Sequence, residues 1–295
     1  MRHLILAASL ILACLPARAQ DAERIPVVAS FSILADLVRN VGGERVSVTS
    51  LVPPGGDAHV YTPTPQDARK LADARLVIIN GLKFEGWIDR LVTSSGTKAR
   101  IGVAARGLAP LQRTDDHGHK GADPHAWQSI ANVKLYVANI RDDLIAVDPA
   151  GQSAYAAQAG AYLARLDALE GEVCAAIAAI PPERRKLVTT HDAFGYFSAA
   201  YGLAFIAPLG VSTDSEASAQ DIARIIRQVR AQKIPAIFLE NVSDPRLTRR
   251  IAAETGAKVG GALYSDGLSP PDGPAGTYID MVRYNIRELQ VALSP

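Results

Sequence analysis

Three histidines and one aspartate carry side chains that could bind a metal ion. They are His59 in the loop GGDAHVYTPTPQD, His125 in DPHAW, His191 in KLVTTHD and Asp266 in YSDGLSPPDGP. Three imidazoles and one carboxylate make a suitable four-coordinate ligand set for Zn²⁺. The four residues are far apart in the sequence, so only a fold that brings distant loops together can build this site.

Predicted strands end close to these side chains. Three apolar runs typical of buried strands cover residues 46–52, 186–191 and 257–265. His59 follows the first run by a few residues, His191 ends the second, and Asp266 directly follows the third. Because ligands bind at the carboxyl ends of strands in open parallel sheets, we expect these positions to converge. Acidic neighbours that could hydrogen-bond to the imidazoles are Asp57, Asp123 and Asp192.

Short strand patterns alternate with amphipathic helical patterns along most of the chain. Further strand candidates are residues 25–32, 76–82, 204–210 and 236–242. Helical candidates are residues 32–43, 67–74, 219–233, 245–256 and 277–293. This alternation predicts an α/β fold with parallel sheets and helices on their faces.

The middle of the chain breaks this alternation. Asp148-Pro149 and Pro181-Pro182 bound a stretch in which apolar residues recur at three- and four-residue spacing. About thirty helical residues would extend ~45 Å. We expect this helix to bridge two lobes. The predicted division is an N-terminal α/β lobe at 20–148, a bridging helix at 149–182 and a C-terminal α/β lobe at 183–295.

The first nineteen residues have the pattern of a secretory signal peptide. A basic residue near the start, Arg2, precedes an apolar run and the small-residue ending Ala17-Arg18-Ala19. The run is too short to span a bilayer. An alternative is lipidation of Cys14, which follows Leu-Ala, but the A-x-A site fits better. We therefore expect cleavage after Ala19 and export to the periplasm without a lipid anchor.

Composition excludes some classes of function. Lysine and arginine number 31 against 30 acidic residues, so no basic excess indicates nucleic-acid binding. Once Cys14 is removed with the signal peptide, Cys174 is the remaining cysteine and cannot form an intrachain disulfide. Its apolar helical neighbours predict that Cys174 is a small buried side chain.

The motifs together resemble those of the zinc- and manganese-binding periplasmic receptors of ATP-driven (ABC) metal-uptake transporters. The resemblance runs from about residue 25 to 293, through ASFSILADLV, VPPGGDAHVYTPTPQD, NGLKFEGW, DPHAWQSIANVKLYVANI, TTHDAFGYF, GVSTDSEAS, FLENVSD and YSDGLSPPDGPAGTYIDMVRYN. It implies that His59, His125, His191 and Asp266 are the metal ligands. In this family glutamate at the third position is typical of manganese receptors and histidine of zinc receptors. His191 therefore favours Zn²⁺, which accepts nitrogen-rich ligation more readily than Mn²⁺.

The resemblance also implies a function. The protein would capture Zn²⁺ between two lobes and deliver it to an ABC permease at the inner membrane for import. We expect it to act as a monomer, with a periplasmic zinc chaperone as a candidate further partner. Four protein ligands would close the metal site, whereas a catalytic zinc keeps a position for water, so we do not expect an enzyme.

Two segments depart from the pattern of the family. Many zinc receptors carry a long histidine-rich loop before the DPH segment, and here this loop contains only His117 and His119. They are candidates for accessory metal capture, or incidental residues of a solvated loop. The family also commonly continues DPH-x-W with Leu-Asp-Pro, whereas this chain has Gln128-Ser129-Ile130.

Three alternative functions remain open from the sequence. The first is a manganese receptor of the same family. The second is a secreted zinc hydrolase, with Glu240 as general base, although a structural hydrogen-bonding role at a strand end suits Glu240 better. No H-E-x-x-H or serine-nucleophile motif supports a hydrolase. The third is a two-lobed receptor for a chelated metal or cofactor, which would not need three histidines and an aspartate.

Overall fold

The computed structural model describes residues 24–114 and 120–294. The signal sequence with Cys14, and the candidate accessory residues His117 and His119, lie outside these ranges. In the described ranges, none of the helices combines the length and apolar character needed to cross a membrane.

The first half of the chain folds around a four-stranded parallel sheet. Its strands are β1 (Ile25–Phe31), β2 (Val46–Val52), β3 (Leu76–Ile79) and β4 (Arg100–Val103). Their order is β2-β1-β3-β4, so β1 has a neighbour on each side and is buried almost throughout. The connecting helices are α1 (Ser32–Gly42), α2 (Pro65–Asp73) and α3 (Ile88–Ser95). A short antiparallel pair, β5 (Gln112–Thr114) and β6 (Lys120–Ala122), precedes α4 (Ile130–Val147).

One long helix, α5 (Gln152–Ala178), connects the two halves. Its 27 residues correspond to about 40 Å. A single 3₁₀ turn at Pro149–Gly151 precedes it, and Asp148 does not cap that turn with its side chain. The carboxylate of Asp148 instead accepts hydrogen bonds from Arg45 and from the hydroxyl of Tyr155, and so fixes the start of the helix to the N-terminal lobe.

Cys174 is exposed, so the prediction that it is buried is wrong. The buried face of α5 includes Leu166, Leu169, Val173 and Ile177. Cys174 follows Val173 directly, and successive residues of a helix are rotated by about 100°. An apolar neighbourhood in the sequence therefore did not indicate which face of this helix is buried.

The second half of the chain repeats the parallel architecture. Its strands are β7 (Lys186–Val188), β8 (Ala204–Ile206), β9 (Ala236–Glu240) and β10 (Lys258–Leu263), in the order β10-β9-β7-β8. The helices are α6 (Gly195–Tyr201), α7 (Ala219–Gln232), α8 (Pro245–Thr255) and α9 (Tyr278–Leu293). The protein therefore has the predicted α/β fold, in which two lobes with helix-flanked parallel sheets are joined by one long helix.

The main hydrophobic core is continuous between the lobes. It includes Phe31 and Trp127 from the first half and Leu263 and Tyr278 from the second. Helix α5 packs along α1, α4 and α9, and so contributes to this shared core. A smaller apolar cluster, with Val188, Ile225, Ile237 and Ile251 among its members, lies between the second sheet and helices α7 and α8.

A buried carboxylate joins helices from opposite ends of the chain. Asp36 on α1 accepts a hydrogen bond from the backbone N–H of Tyr278, the first residue of α9, at 2.9 Å. Burial raises the pKa of Asp36 to about 6, although this hydrogen bond and the charges of Arg39 and Arg165 act in the opposite direction. Because the folded pKa exceeds the unfolded value, the contribution of Asp36 to stability is full below about pH 4 and is lost as the pH rises through 6.

We therefore expect Asp36→Asn to change how stability depends on pH. Between pH 4 and pH 7.5, the wild-type free energy of unfolding should fall relative to that of the variant. The difference should be at most about 3 kcal/mol, since one pKa unit corresponds to about 1.4 kcal/mol. Urea unfolding of metal-stripped protein at several pH values measures this quantity. Asp89→Asn, at an exposed position in the first turn of α3, is the control for the change of charge. If the free energies of unfolding of wild type and Asp36→Asn differed by the same amount at every pH, a raised pKa of Asp36 would be contradicted.

Candidate metal centre

The four predicted ligands converge between the carboxyl ends of the two sheets. One ligand atom from each of His59, His125, His191 and Asp266 lies within 4.8 Å of the other three. The Nε2 atoms of His59 and His125 are 3.2 Å apart, and Asp266 Oδ2 lies 3.0 Å from His191 Nε2 and 3.4 Å from His59 Nε2. A tetrahedral zinc site with bonds of 2.0–2.1 Å has edges of about 3.3 Å. These three atom pairs therefore have separations close to the edges of a tetrahedral zinc site.

The loop after β2 fixes the backbone around His59. The backbone N–H of Gly55, at φ +73°, donates to the carbonyl oxygen of Leu268 in the other lobe. Trp87 Nε1 donates to the carbonyl oxygen of Ala58 at 2.8 Å. These bonds hold the residues before His59 in place, and its side chain is only 5% exposed.

Asp57 supports the loop and does not contact the imidazole ring. Its Oδ1 accepts a hydrogen bond from the backbone N–H of His59, and its Oδ2 accepts one from the hydroxyl of Thr213 at 2.6 Å. Thr213 belongs to the C-terminal half of the chain, so this bond crosses between the lobes. The His59 ring itself packs edge-on against Phe84, with ring centroids 4.7 Å apart.

Asp123 orients the ring of His125. Its Oδ1 lies 2.9 Å from His125 Nδ1 and also accepts a hydrogen bond from the backbone N–H of the same residue. Donation of the Nδ1 proton to this carboxylate leaves a lone pair on Nε2, which faces the other ligands. Both residues are fully buried.

The segment after His125 reaches across to the loop that carries Asp266. Trp127 Nε1 and Gln128 Nε2 both donate to the carbonyl oxygen of Ser265, at 2.9 and 2.8 Å. Gln128 is one of the residues where this chain departs from Leu-Asp-Pro, and an amide supplies a hydrogen bond that leucine cannot make. The peptide that precedes Asp266 is therefore held by the N-terminal half of the chain.

Glu240, at the end of β9, is the partner of His191. Its Oε2 lies 2.6 Å from His191 Nδ1, at ion-pair distance although outside the angles of a hydrogen bond. Its Oε1 accepts hydrogen bonds from the backbone N–H groups of Thr190 and His191. Asp192, the sequence neighbour of His191, instead accepts a hydrogen bond from Arg113 at 2.9 Å. Glu240 therefore has the structural role that its place at a strand end indicated.

The carboxylates of the site favour positive charge. Burial alone would lower the pKa of His191, but Glu240 and Asp266 outweigh it and hold that pKa well above its usual value. Burial would likewise raise the pKa of Asp266, but His191 and His125 hold it well below its usual value. The oxygens of Asp266 are buried and accept no geometrically good hydrogen bond within the described residues. A buried charge of this kind needs a cation, which a bound metal ion supplies.

Several residues that support the site were not identified from the sequence. Phe84 contacts two of the histidine rings, and Arg113 contacts both Asp123 and Asp192. The motif NGLKFEGW contains Phe84, but its pattern gives no indication of contact with a ligand. Arg113 gave no signal because it lies in a short strand beside a polar loop, where a charged residue is ordinary.

We expect Glu240→Gln to weaken metal binding by about 10- to 100-fold, the range measured for partners of metal-binding histidines. Glutamine can keep the acceptor for the two backbone N–H groups. Its amide NH₂ would then face His191 Nδ1, and because it cannot accept a proton there, it favours the tautomer whose Nε2 carries hydrogen. Competition with a chelator of known affinity measures the loss.

Glu85→Gln is the matched control. Glu85 is also buried at the end of a sheet, where Oε1 accepts hydrogen bonds from the Ser30 hydroxyl and the Asn80 backbone N–H. It contacts these groups rather than a histidine, so its substitution should leave metal affinity near the wild-type value. Equal losses in the two variants would contradict a specific role for Glu240.

Comparison with known proteins identifies the family. The family model described as the periplasmic component A of a zinc-uptake complex matches residues 27–292. The manganese-binding lipoprotein MntA of Halalkalibacterium halodurans is 35% identical over 276 residues, covering 93% of this chain and 90% of its own. The iron-binding protein YfeA of Yersinia pestis is 33% identical, covering 90% of this chain and 85% of its own. The structure of the periplasmic zinc-binding protein TroA from Treponema pallidum superposes with a TM-score of 0.87 at 30% identity, covering 92% of this chain and all of its own. The chain therefore belongs to the family of periplasmic metal-binding proteins of ABC transporters, which are substrate-binding proteins and not enzymes.

Proposed function

We propose that the protein captures Zn²⁺ between its lobes and delivers it to the permease of an ABC importer. The observation that carries this proposal is the convergence of three imidazole nitrogens and one carboxylate oxygen within 4.8 Å. Zn²⁺ accepts such nitrogen-rich ligation well, whereas Mn²⁺ prefers oxygen ligands. The proposed ligands are His59, His125, His191 and Asp266.

The position of Glu240 supports binding rather than hydrolysis. Its Oε2 is against His191 Nδ1, the ring nitrogen opposite the one that approaches Asp266. A general base for hydrolysis would have to reach a water molecule on the metal. Four protein ligands complete a tetrahedral zinc shell without water.

The proposed setting of this function is the periplasm. We infer that the receptor is released by cleavage after Ala19, acts as a monomer, and can receive zinc from a periplasmic chaperone. The word lipoprotein in the name of the H. halodurans relative supports the alternative of an anchor at Cys14. His117 and His119, which lie between β5 and β6 in the sequence, are proposed to assist metal capture.

Manganese is the second candidate for the transported ion. The H. halodurans relative is named as manganese-binding, and its 35% identity exceeds the 30% of the zinc-binding protein of T. pallidum. The name of the Y. pestis relative adds iron as a further metal handled by this family. The choice among these ions therefore rests on the ligands of this chain, above all on His191.

Metal analysis tests the zinc proposal directly. Protein purified without added metal should carry one equivalent of zinc, and Zn²⁺ should displace Mn²⁺ in competition at neutral pH. Elemental analysis by mass spectrometry and titration calorimetry measure these two quantities. Manganese that resists displacement by an equal concentration of zinc would contradict the proposal and support the second candidate.

We expect His191→Glu to lower the preference for Zn²⁺ over Mn²⁺. The substitution replaces a nitrogen ligand by an oxygen ligand, and so moves the site towards the chemistry that Mn²⁺ prefers. The dissociation constant for Mn²⁺ divided by that for Zn²⁺ should fall by about tenfold or more. Competition with a fluorescent chelator measures both constants. His191→Ala is the control, because it removes a ligand without supplying oxygen. An unchanged ratio in His191→Glu would show that this position does not determine the choice.

A further inference from the structure

We propose that Arg113 is a positioning residue that ties the two lobes together behind the metal ligands and slows release of the metal. This inference rests on the proposed function, since it concerns how the same site is kept closed. Arg113 lies in β5, before the long helix α5. One of its acidic partners, Asp123, also precedes α5, whereas the other, Asp192, follows it.

The guanidinium of Arg113 joins residues that stand beside two different ligands. Its Nη2 lies 2.9 Å from Asp192 Oδ1, and its Nε lies 3.4 Å from Asp123 Oδ2. Asp123 holds the ring of His125 through its other oxygen, and Asp192 directly follows His191. A single side chain therefore connects the support of a ligand in one lobe to the backbone of a ligand in the other.

Burial of Asp123 makes removal of Arg113 more costly than removal of one partner of an ordinary surface ion pair. The side chain of Asp123 is fully buried, whereas those of Arg113 and Asp192 are 36% and 29% exposed. Loss of Arg113 would leave the Asp123 carboxylate with one charged partner fewer in a buried position, which is costly. The contact with Asp192 is partly exposed, so dissolved salt should weaken it.

Gly195 provides the space for this ion pair. A Cβ atom at this position would overlap both Arg113 Nη2 and Asp123 Oδ2. Its φ lies outside the left-handed region, so the backbone does not require glycine here. Glycine is needed because any larger residue would occupy the space of the two charged groups. Helix α6, which begins at Gly195, is therefore fitted against the ion pair.

Tyr196, which follows Gly195, adds hydrogen bonds between the lobes beside the Arg113 ion pairs. The hydroxyl of Tyr196 donates to the carbonyl oxygen of Asp123 at 2.9 Å and accepts from the backbone N–H of Leu111 at 3.1 Å. Separation of the lobes at this edge would break these bonds together with the Arg113–Asp192 pair. On the loop of His59, the bond from Thr213 to Asp57 is a second connection between the lobes.

The test is the rate at which Zn²⁺ leaves the full-length mature protein, measured by stopped flow into excess chelator. We expect Arg113→Met to release zinc about tenfold faster than wild type. Arg113→Lys, which retains the charge, should recover part of the slow release. Gly195→Ala should accelerate release without a change of charge. Added salt should accelerate release from the wild type more than from Arg113→Met, a difference that a general loss of stability would not produce.

Two further variants keep the result interpretable. Arg283→Met removes an exposed arginine whose ion pair with Glu172 joins α9 to α5, and it should release zinc at the wild-type rate. Asp192→Asn removes the charge that attracts Arg113 across the lobes and leaves Arg113 paired with Asp123, so it serves if Arg113→Met does not fold. Wild-type release rates in Arg113→Met or Asp192→Asn would overturn the inference. Failure of the wild type itself to bind zinc would instead overturn the proposed function.

Discussion

A buried carboxylate surrounded by three imidazole nitrogens sets the requirement that the rest of this structure meets. Asp266 is about 1% exposed, and within the described residues its oxygens accept no well-aligned hydrogen bond. Such a group is costly to bury unless a positive charge compensates it. For a metal ion to supply that charge, each neighbouring ring must present a lone pair rather than a proton to the shared centre. Asp123 and Glu240 meet this condition for two of the rings, because they contact the nitrogen on the opposite side of each ring.

The two lobes stabilise the backbone at the carboxyl ends of their strands in similar ways. Each lobe has a buried glutamate near the carboxyl ends of its strands that accepts a hydrogen bond from a backbone N–H group, that of Asn80 just after β3 in one lobe and that of Thr190 just after β7 in the other. In the N-terminal lobe this residue is Glu85, which contacts no ligand, and in the C-terminal lobe it is Glu240, which supports one. The shared core and helix α5 then hold the two sheet edges opposite each other, so that loops from both reach one point.

Much of this arrangement follows from local patterns in the sequence. Strand β2 has the bounds that its β-branched run predicts, and β9 and α8 lie within their predicted segments. The loops holding His59, His191 and Asp266 were found because histidine and aspartate are conspicuous after a predicted strand, whereas His125 was found through the segment DPHAW. Helix α4 was missed because its apolar residues do not form one clear stripe, as expected for a helix that packs on several sides. Strand β4 has only four residues and is partly exposed, so it gave no signal.

Contacts between distant segments could not be predicted from local sequence patterns. Asp192 was a candidate partner of His191 because it is adjacent in sequence, yet Glu240 occupies that position from another strand. The side chain of Asp192 turns towards Arg113 instead. Sequence adjacency gives proximity but not direction, since successive side chains of an extended chain point to opposite sides.

The two hydrogen bonds that Trp127 and Gln128 donate to Ser265 have a thermodynamic consequence. They come from one lobe, yet they aim a proposed ligand carried by the other, so the proposed coordination shell is complete only while the lobes are docked. Metal affinity and lobe docking are then linked functions. By reciprocity, the factor by which a bound ion favours docking equals the factor by which docking raises affinity for the ion. A membrane partner that stabilises separated lobes would therefore lower the affinity for the ion without touching any ligand.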